Sequence, residues 1–290
     1  MMSHYRLWIV VAVPLVALSL CGTAWAQASR PANLAAEAIS DFKYLTNNAL
    51  LDAEDIATSP LYVASRNSAL RAPKFYLILA GAGGLWGGSY ALDQTMRSHL
   101  RSMSSSDADL LQNISYGGVS AGTALLYGYG LLYDDPRARH YALTAGEGAG
   151  IATLVDIGIK AAFGRLRPSQ TSSHTGFFHG GQSFVSGDVT PMFGLAAGVS
   201  AYYDNEWYVA APVYSLALLD GFGRMGHDAH WFSDVIGAAL LGVGTTELFL
   251  WLHKRHDEEP SRWRIFSMSA DNVMANNNQP SIGIGFAYSW

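Results

Sequence analysis

The sequence predicts an all-α fold: one helical bundle of about six core helices, followed by a short C-terminal β-hairpin. Three observations predict it. Six apolar stretches are each long enough for a helix, and the breaks between them hold Asp, Asn, Ser, Gly and Pro. Half of the 290 residues are apolar and only 14% are charged, which excludes intrinsic disorder and leaves enough apolar surface for a core. The last residues change to a period of two.

The chain opens with the features of a secretory signal, expected over residues 1–26. Arg6 lies in a short basic region, an apolar run extends from Leu7 to about Cys21, and Ala24-Trp25-Ala26 forms a small-residue cleavage site before Gln27. Cleavage there removes the single cysteine, which suits an oxidising compartment such as a bacterial periplasm. Residues 27–74 hold an amphipathic helix from Asn33 to about Ala57, with Leu34, Ile39, Phe42, Leu45, Leu50 and Leu51 at helical spacing. Pro60 lies just past its expected end. This helix reads as a packing element.

Residues 75–256 form the expected catalytic-type domain, with helices over Phe75–Leu92, Leu110–Tyr133, Tyr141–Phe163, Val189–Tyr203, Trp207–Leu219 and Val235–Leu252. A membrane span needs roughly 20 apolar residues with few charges. Only the first two stretches approach that; the third carries Glu147 and Asp156, and the last carries Glu247. A soluble or peripheral bundle is therefore expected, with inner-membrane association left open. In the tail, residues 257–290, Ile282, Ile284, Phe286, Tyr288 and Trp290 alternate with small residues, as in one strand of a hairpin. An outer-membrane barrel needs at least eight such strands.

Charge narrows the partners. Eighteen basic against 23 acidic residues give a net charge of −5, and no basic stripe appears, so nucleic-acid binding is not expected. One cysteine excludes a disulfide framework and a cysteine-ligated zinc site.

Three segments carry chemistry. Lys160 and Arg167 are seven residues apart, two helical turns, and Pro168 is expected to stop the helix and free Arg167. A Lys point charge and an Arg fork suit a tetrahedral oxyanion. In Ser183–Pro191, Ser186 is placed to cap the next helix, whose free N–H groups bind anions. In Gly221–Asp234, glycines 221, 223 and 226 are read as an irregular loop holding Arg224. His230 and Asp234 follow, four residues apart at a helix start. An Asp accepting from one imidazole nitrogen leaves the other free to attack. His227, Asp228 and His230 lack a recognised metal-ligand spacing, so no metal ligand is assigned.

Together these segments resemble the superfamily of type 2 phosphatidic acid phosphatases, bacterial acid phosphatases and vanadium haloperoxidases, with its pattern K-x6-R-P, P-S-G-H and S-R-x5-H-x3-D. Lys160, Arg167 and Pro168 match the first part, Ser186 and Gly187 the second, and Arg224, His230 and Asp234 the third. The resemblance covers about Phe75 to His253. It implies an acid phosphatase/vanadium haloperoxidase-like helical bundle. The implied enzyme hydrolyses phosphate monoesters or pyrophosphates, including lipid-linked ones, without a cofactor. Vanadate would act there as a phosphate mimic. It implies His230 as the nucleophile forming a phosphohistidine and Asp234 as the group that orients it. Lys160, Arg167, Ser186, Gly187 and Arg224 would hold the phosphate.

Three positions depart from the pattern: Val185 replaces Pro, Gly223 replaces Ser, and Asp188 stands where the family has the His that protonates the leaving oxygen. A carboxylate in a helix first turn among cations favours the ionised form, which cannot donate a proton. Asp188 is then either the acid of an enzyme favouring low pH or good leaving groups, or the mark of a catalytically impaired phosphate- or phospholipid-binding envelope protein. A vanadium-dependent haloperoxidase is the third reading. His179 and His227 are alternative proton sources.

Overall fold

The computed structural model describes residues 34–64, 73–258, 263–268 and 283–288. The expected signal segment lies outside the described residues. Among the described residues eight α-helices follow one another: α1 (Leu34–Ala64), α2 (Pro73–Ala91), α3 (Asp93–Leu100), α4 (Ser105–Leu132), α5 (Pro136–Phe163), α6 (Val189–Tyr202), α7 (Trp207–Gly226) and α8 (Phe232–Glu258). All six expected core helices are present. The fold class rests on the helices alone. Residues 263–268 and 283–288 run as two antiparallel strands, with Trp263 opposite Tyr288. The expected hairpin is not counted in the fold.

Local chemistry sets the helix ends. The Ser104 side chain accepts the Asp107 N–H at the start of α4, and the Asp135 side chain accepts the Ala138 N–H at the start of α5, ahead of Pro136. α5 ends at Phe163 because Gly164 takes a left-handed φ of +48°, and a side chain there would also press on the Gly180 backbone. The helix thus stops five residues before Pro168, not at it. Pro60 falls inside α1 and not past its end.

α6 sits at the centre, with most of its residues buried against α5 and α8. Small residues allow this: Gly194 lies on Ala149, Gly198 on Ala145, and Gly242 of α8 on the Thr190 carbonyl. The core around it holds Val119, Val189, Met192, Phe193, Val213 and Val235. The glycines read as a loop after residue 219 belong to α7, which runs on to Gly226. A side chain at Gly223 would meet the Ala108 carbonyl, and one at Gly221 would meet Val235, so these glycines serve close packing.

The distribution of polarity is inverted in places. The face that α1 turns to the bundle is polar: Asp41, Asn48 and Asp52 are buried, whereas Ile39, Phe42 and Ile56 are more than half exposed. Asp41 and Glu37 meet the buried Arg139. Leu77, Ile78, Leu125, Leu132, Leu154 and Trp251 also point outward. Pro136–Gln170 and Phe232–Glu258 are long and apolar enough to cross a membrane, and Phe75–Ala91 with Asp93–Leu100 passes as a pair bent by 53°. The expectation that α5 and α8 carry too much charge is corrected. On α5, Asp156 is buried beside Lys160, and Glu147 faces His253 of α8, so both carboxylates turn into the bundle.

Candidate active site

Three loops meet where α5 ends, α6 begins and α7 passes into α8. The six residues 183–188 touch each of the other parts. The Ser183 carbonyl accepts His230 Nδ1–H at 2.7 Å. The Ser186 N–H donates to the Asp234 carbonyl at 3.3 Å. A side chain at Gly187 would come within 2.9 Å of Lys160 Nζ and Asp156 Oδ2, so this backbone lies directly against that ion pair. Asp188 Oδ2 pairs with Arg224 Nη2 at 3.1 Å.

His230 is 3% exposed and precedes α8 in the turn that leaves α7. A backbone carbonyl only accepts, so Nδ1 carries the proton, and neutral imidazole then presents Nε2 as its free lone pair. The expected partner, Asp234, is 3.8 Å from Nδ1, too far for a hydrogen bond. Its carboxylate instead accepts from Ser183 Oγ at 2.5 Å, the Trp231 N–H at 2.9 Å and Arg165 Nη1. Asp234 is therefore connected to His230 through Ser183, whose hydroxyl donates to its carboxylate and whose carbonyl accepts from the imidazole.

Arg165 is the buried hub beneath the site. It is fully buried; Nη1 also donates to Ser233 Oγ at 2.7 Å, and Nη2 donates to Asp93 Oδ2 at 2.6 Å and the His174 carbonyl at 2.7 Å. Its guanidinium lies 4.7 Å from the centre of the Phe177 ring. Asp93 completes the set by accepting the Ser233 N–H at 2.7 Å, one of the unpaired donors at the start of α8. Arg97, one turn along α3, clamps two loops. It donates twice to Asp228, at 2.8 and 2.6 Å, and to the carbonyls of Pro168 and Thr171.

These clamps locate Arg167. Ser169 N–H donates to the Asp228 carbonyl and Trp231 Nε1–H donates to the Leu166 carbonyl, both at 2.9 Å. The stretch 166–169 thus runs alongside 228–231, next to His230. Among the described residues the Arg167 guanidinium has no ion-pair partner. The other two cations do have one: Lys160 pairs with Asp156, and Arg224 with Asp188.

Ser186 does not cap α6; the helix starts at Val189, and Ser186 accepts the Thr190 N–H through its carbonyl. Its hydroxyl is buried without a hydrogen-bond partner, as is Arg224 Nε. Asp220, one turn before Arg224, is fully buried with both oxygens unpartnered. Burial first and the Asp188 charge second push its carboxyl up to about 7, against the pull of Arg224, Tyr116 and Gln112. His227 pairs with Asp109 and Asp228 with Arg97, so neither joins His230 in a metal set. His179 bonds the Phe177 carbonyl.

Sequence reasoning passed over Asp93, Arg97, Asp156, Arg165, the role of Ser183, and Asp220. Arg165 alone carried a signal: two arginines two apart in an extended stretch face the same side, and one of them was assigned.

The helical bundle thus brings a buried imidazole, the Lys160–Asp156 and Arg224–Asp188 pairs and the backbone on either side of Arg167 together around the loop 183–188, an arrangement with the donors an anion would need. Residues 141–258 match the family model of the PAP2 superfamily, in agreement with the resemblance drawn from the motifs. The chain is similar to the lipid A 1-phosphatase of Porphyromonas gingivalis, 33% identical over 95 residues. That alignment covers 32% of this chain and 19% of the relative, so the chain spans about a fifth of the relative's length. No solved structure matches the chain.

Proposed function

We propose that the chain is a membrane-associated phosphatase of the PAP2 type, acting on phosphate monoesters or pyrophosphates carried by lipids and facing the periplasm. The single observation that carries this reading is the loop 183–188, which joins His230, Lys160 and Arg224 in one place. His230 Nε2 attacks phosphorus in line with the leaving oxygen and forms a phosphohistidine; water then attacks it and releases phosphate. Lys160, Arg167, Arg224, the Ser186 hydroxyl and the Gly187 N–H hold the phosphate oxygens as charge develops on them. Asp188, or Asp220 behind it, delivers the proton to the leaving oxygen. No cofactor enters this scheme, and vanadate binds as a phosphate mimic.

Lipid substrates are supported by the outward apolar surface of the helices and by the lipid A 1-phosphatase likeness. The reading is tested by phosphate release from a lipid phosphomonoester, a lipid pyrophosphate and a soluble monoester, with the full chain in detergent. The account expects turnover of at least one lipid substrate and none by His230→Ala.

The Arg224–Asp188 pair favours a second reading. A carboxylate occupying that guanidinium competes with phosphate, as expected of an impaired phosphate- or phospholipid-binding envelope protein. Phosphate binding with no turnover across acid to neutral pH would favour it.

A further inference from the structure

Far from the loops described above, α1, α5 and α8 bring a second set of ligand-type side chains together. His253 lies 19 residues beyond Asp234 on α8, about 28 Å along the helix axis. His253 Nε2 is 3.0 Å from Asp52 Oδ2 of α1 and 3.4 Å from Glu147 Oε2 of α5. One imidazole N–H cannot serve both oxygens. Glu147 Oε2 and Asp52 Oδ1 are buried without a hydrogen-bond partner, and the Asp52 side chain is only 4% exposed. Two carboxylates left short of donors inside a bundle call for a cation.

We infer that Asp52, Glu147 and His253 bind a divalent transition-metal ion of the zinc class, fastening α1 to the bundle. One donor atom from each lies within 4.8 Å of the others. Tetrahedral zinc with bonds of about 2.0–2.2 Å sets neighbouring donors about 3.3–3.6 Å apart, so His253 Nε2, at 3.0 and 3.4 Å, is within a few tenths of an ångström of the spacing needed to each carboxylate, and the two carboxylates, within 4.8 Å of each other, draw together on the ion. The outer contacts suit a metal-bound imidazole. His253 Nδ1 lies 3.0 Å from both Thr144 Oγ1 and Tyr44 OH, either of which can accept its proton and leave Nε2 for the metal. An imidazole ligand selects against magnesium and calcium, which take oxygen donors. His256 stands at the rim, bonded to Asp55 and 3.9 Å from Asp52 Oδ1. The polar face of α1 gains a purpose: its carboxylates form one wall of the site.

The test titrates Zn2+ into the tag-free, chelator-stripped full chain, with Mg2+ in parallel, and measures bound metal and the melting temperature. The expected result is one zinc per chain, a rise in melting temperature with zinc and none with magnesium. Asp52→Asn, which keeps the side chain's size, should weaken zinc binding by about tenfold or more, and His253→Ala should abolish it, while both keep the helical circular-dichroism signal. Absence of zinc uptake by the native chain would overturn the inference and leave a histidine–carboxylate ion pair in its place. Uptake left unchanged in Asp52→Asn would overturn it equally. Phosphate release is not the readout, so this site stands or falls apart from the phosphatase reading.

Discussion

His230 Nδ1 donates to the Ser183 carbonyl at 2.7 Å, while the Asp234 carboxylate stands 3.8 Å away and holds the Ser183 hydroxyl. The imidazole is thus fixed by a backbone group that is itself pinned by the carboxylate. Ser183→Ala removes the hydroxyl and keeps the carbonyl. The account expects kcat to fall about tenfold or more with KM little changed, because the imidazole loses its aim while the phosphate contacts remain. Equal kcat in the variant would show that the Asp234–Ser183 contact does not position the ring.

Arg165 is fully buried between Asp93 and Asp234. Asp93→Ala leaves Arg165 paired with Asp234 but strips the buried Arg165 Nη2–H and Ser233 N–H of their carboxylate acceptor, so it should destabilise the fold by about 2–5 kcal/mol. Denaturant or thermal unfolding of the purified chain measures it; a loss under about 1 kcal/mol, the range of exposed pairs, would contradict the assignment.

Asp188 pairs with Arg224, the guanidinium proposed to hold a phosphate oxygen. Asp188→Asn should bind inorganic phosphate about tenfold more tightly, since one charge-assisted contact is worth about 1.5–3 kcal/mol. Asp188→His should raise turnover of substrates with poor leaving groups by about a hundredfold, by supplying a general acid. Phosphate titration and a leaving-group series check both.

Asp220 titrates near 7 when folded because it is buried, against an ordinary value of 3.8. Below about pH 4 it is neutral in both folded and unfolded states and costs nothing. As pH rises toward 7 the unfolded chain ionises first, so stability falls by at most about 1.4 kcal/mol per pH unit and levels off above the folded pKa. Asp220→Asn should flatten that slope, measured as melting temperature from pH 4 to 8. A slope unchanged in the variant would place the titration elsewhere.

The six core helices were legible in the sequence because apolar runs and their polar breaks are local properties. Legible too was the ordered spacing that singles out Lys160, Arg167, Ser186, Gly187, Asp188, Arg224, His230 and Asp234 as candidates. The support beneath them was not. Asp93 and Arg97 lie on α3, a short polar helix, and their partners are 71 to 140 positions away. Glycines 221, 223 and 226 read as loop signals, yet they permit helix contact. The polar inner face of α1 stayed hidden because periodicity shows that two faces differ, not which one turns inward.

Phosphoenzyme trapping tests the central claim most directly. The native chain is mixed with a radiolabelled phosphomonoester or lipid pyrophosphate, quenched, and its acid and alkali stability recorded. The account predicts an acid-labile, alkali-stable label that is lost in His230→Ala. A label that persists in His230→Ala would contradict the assignment of this imidazole as the nucleophile.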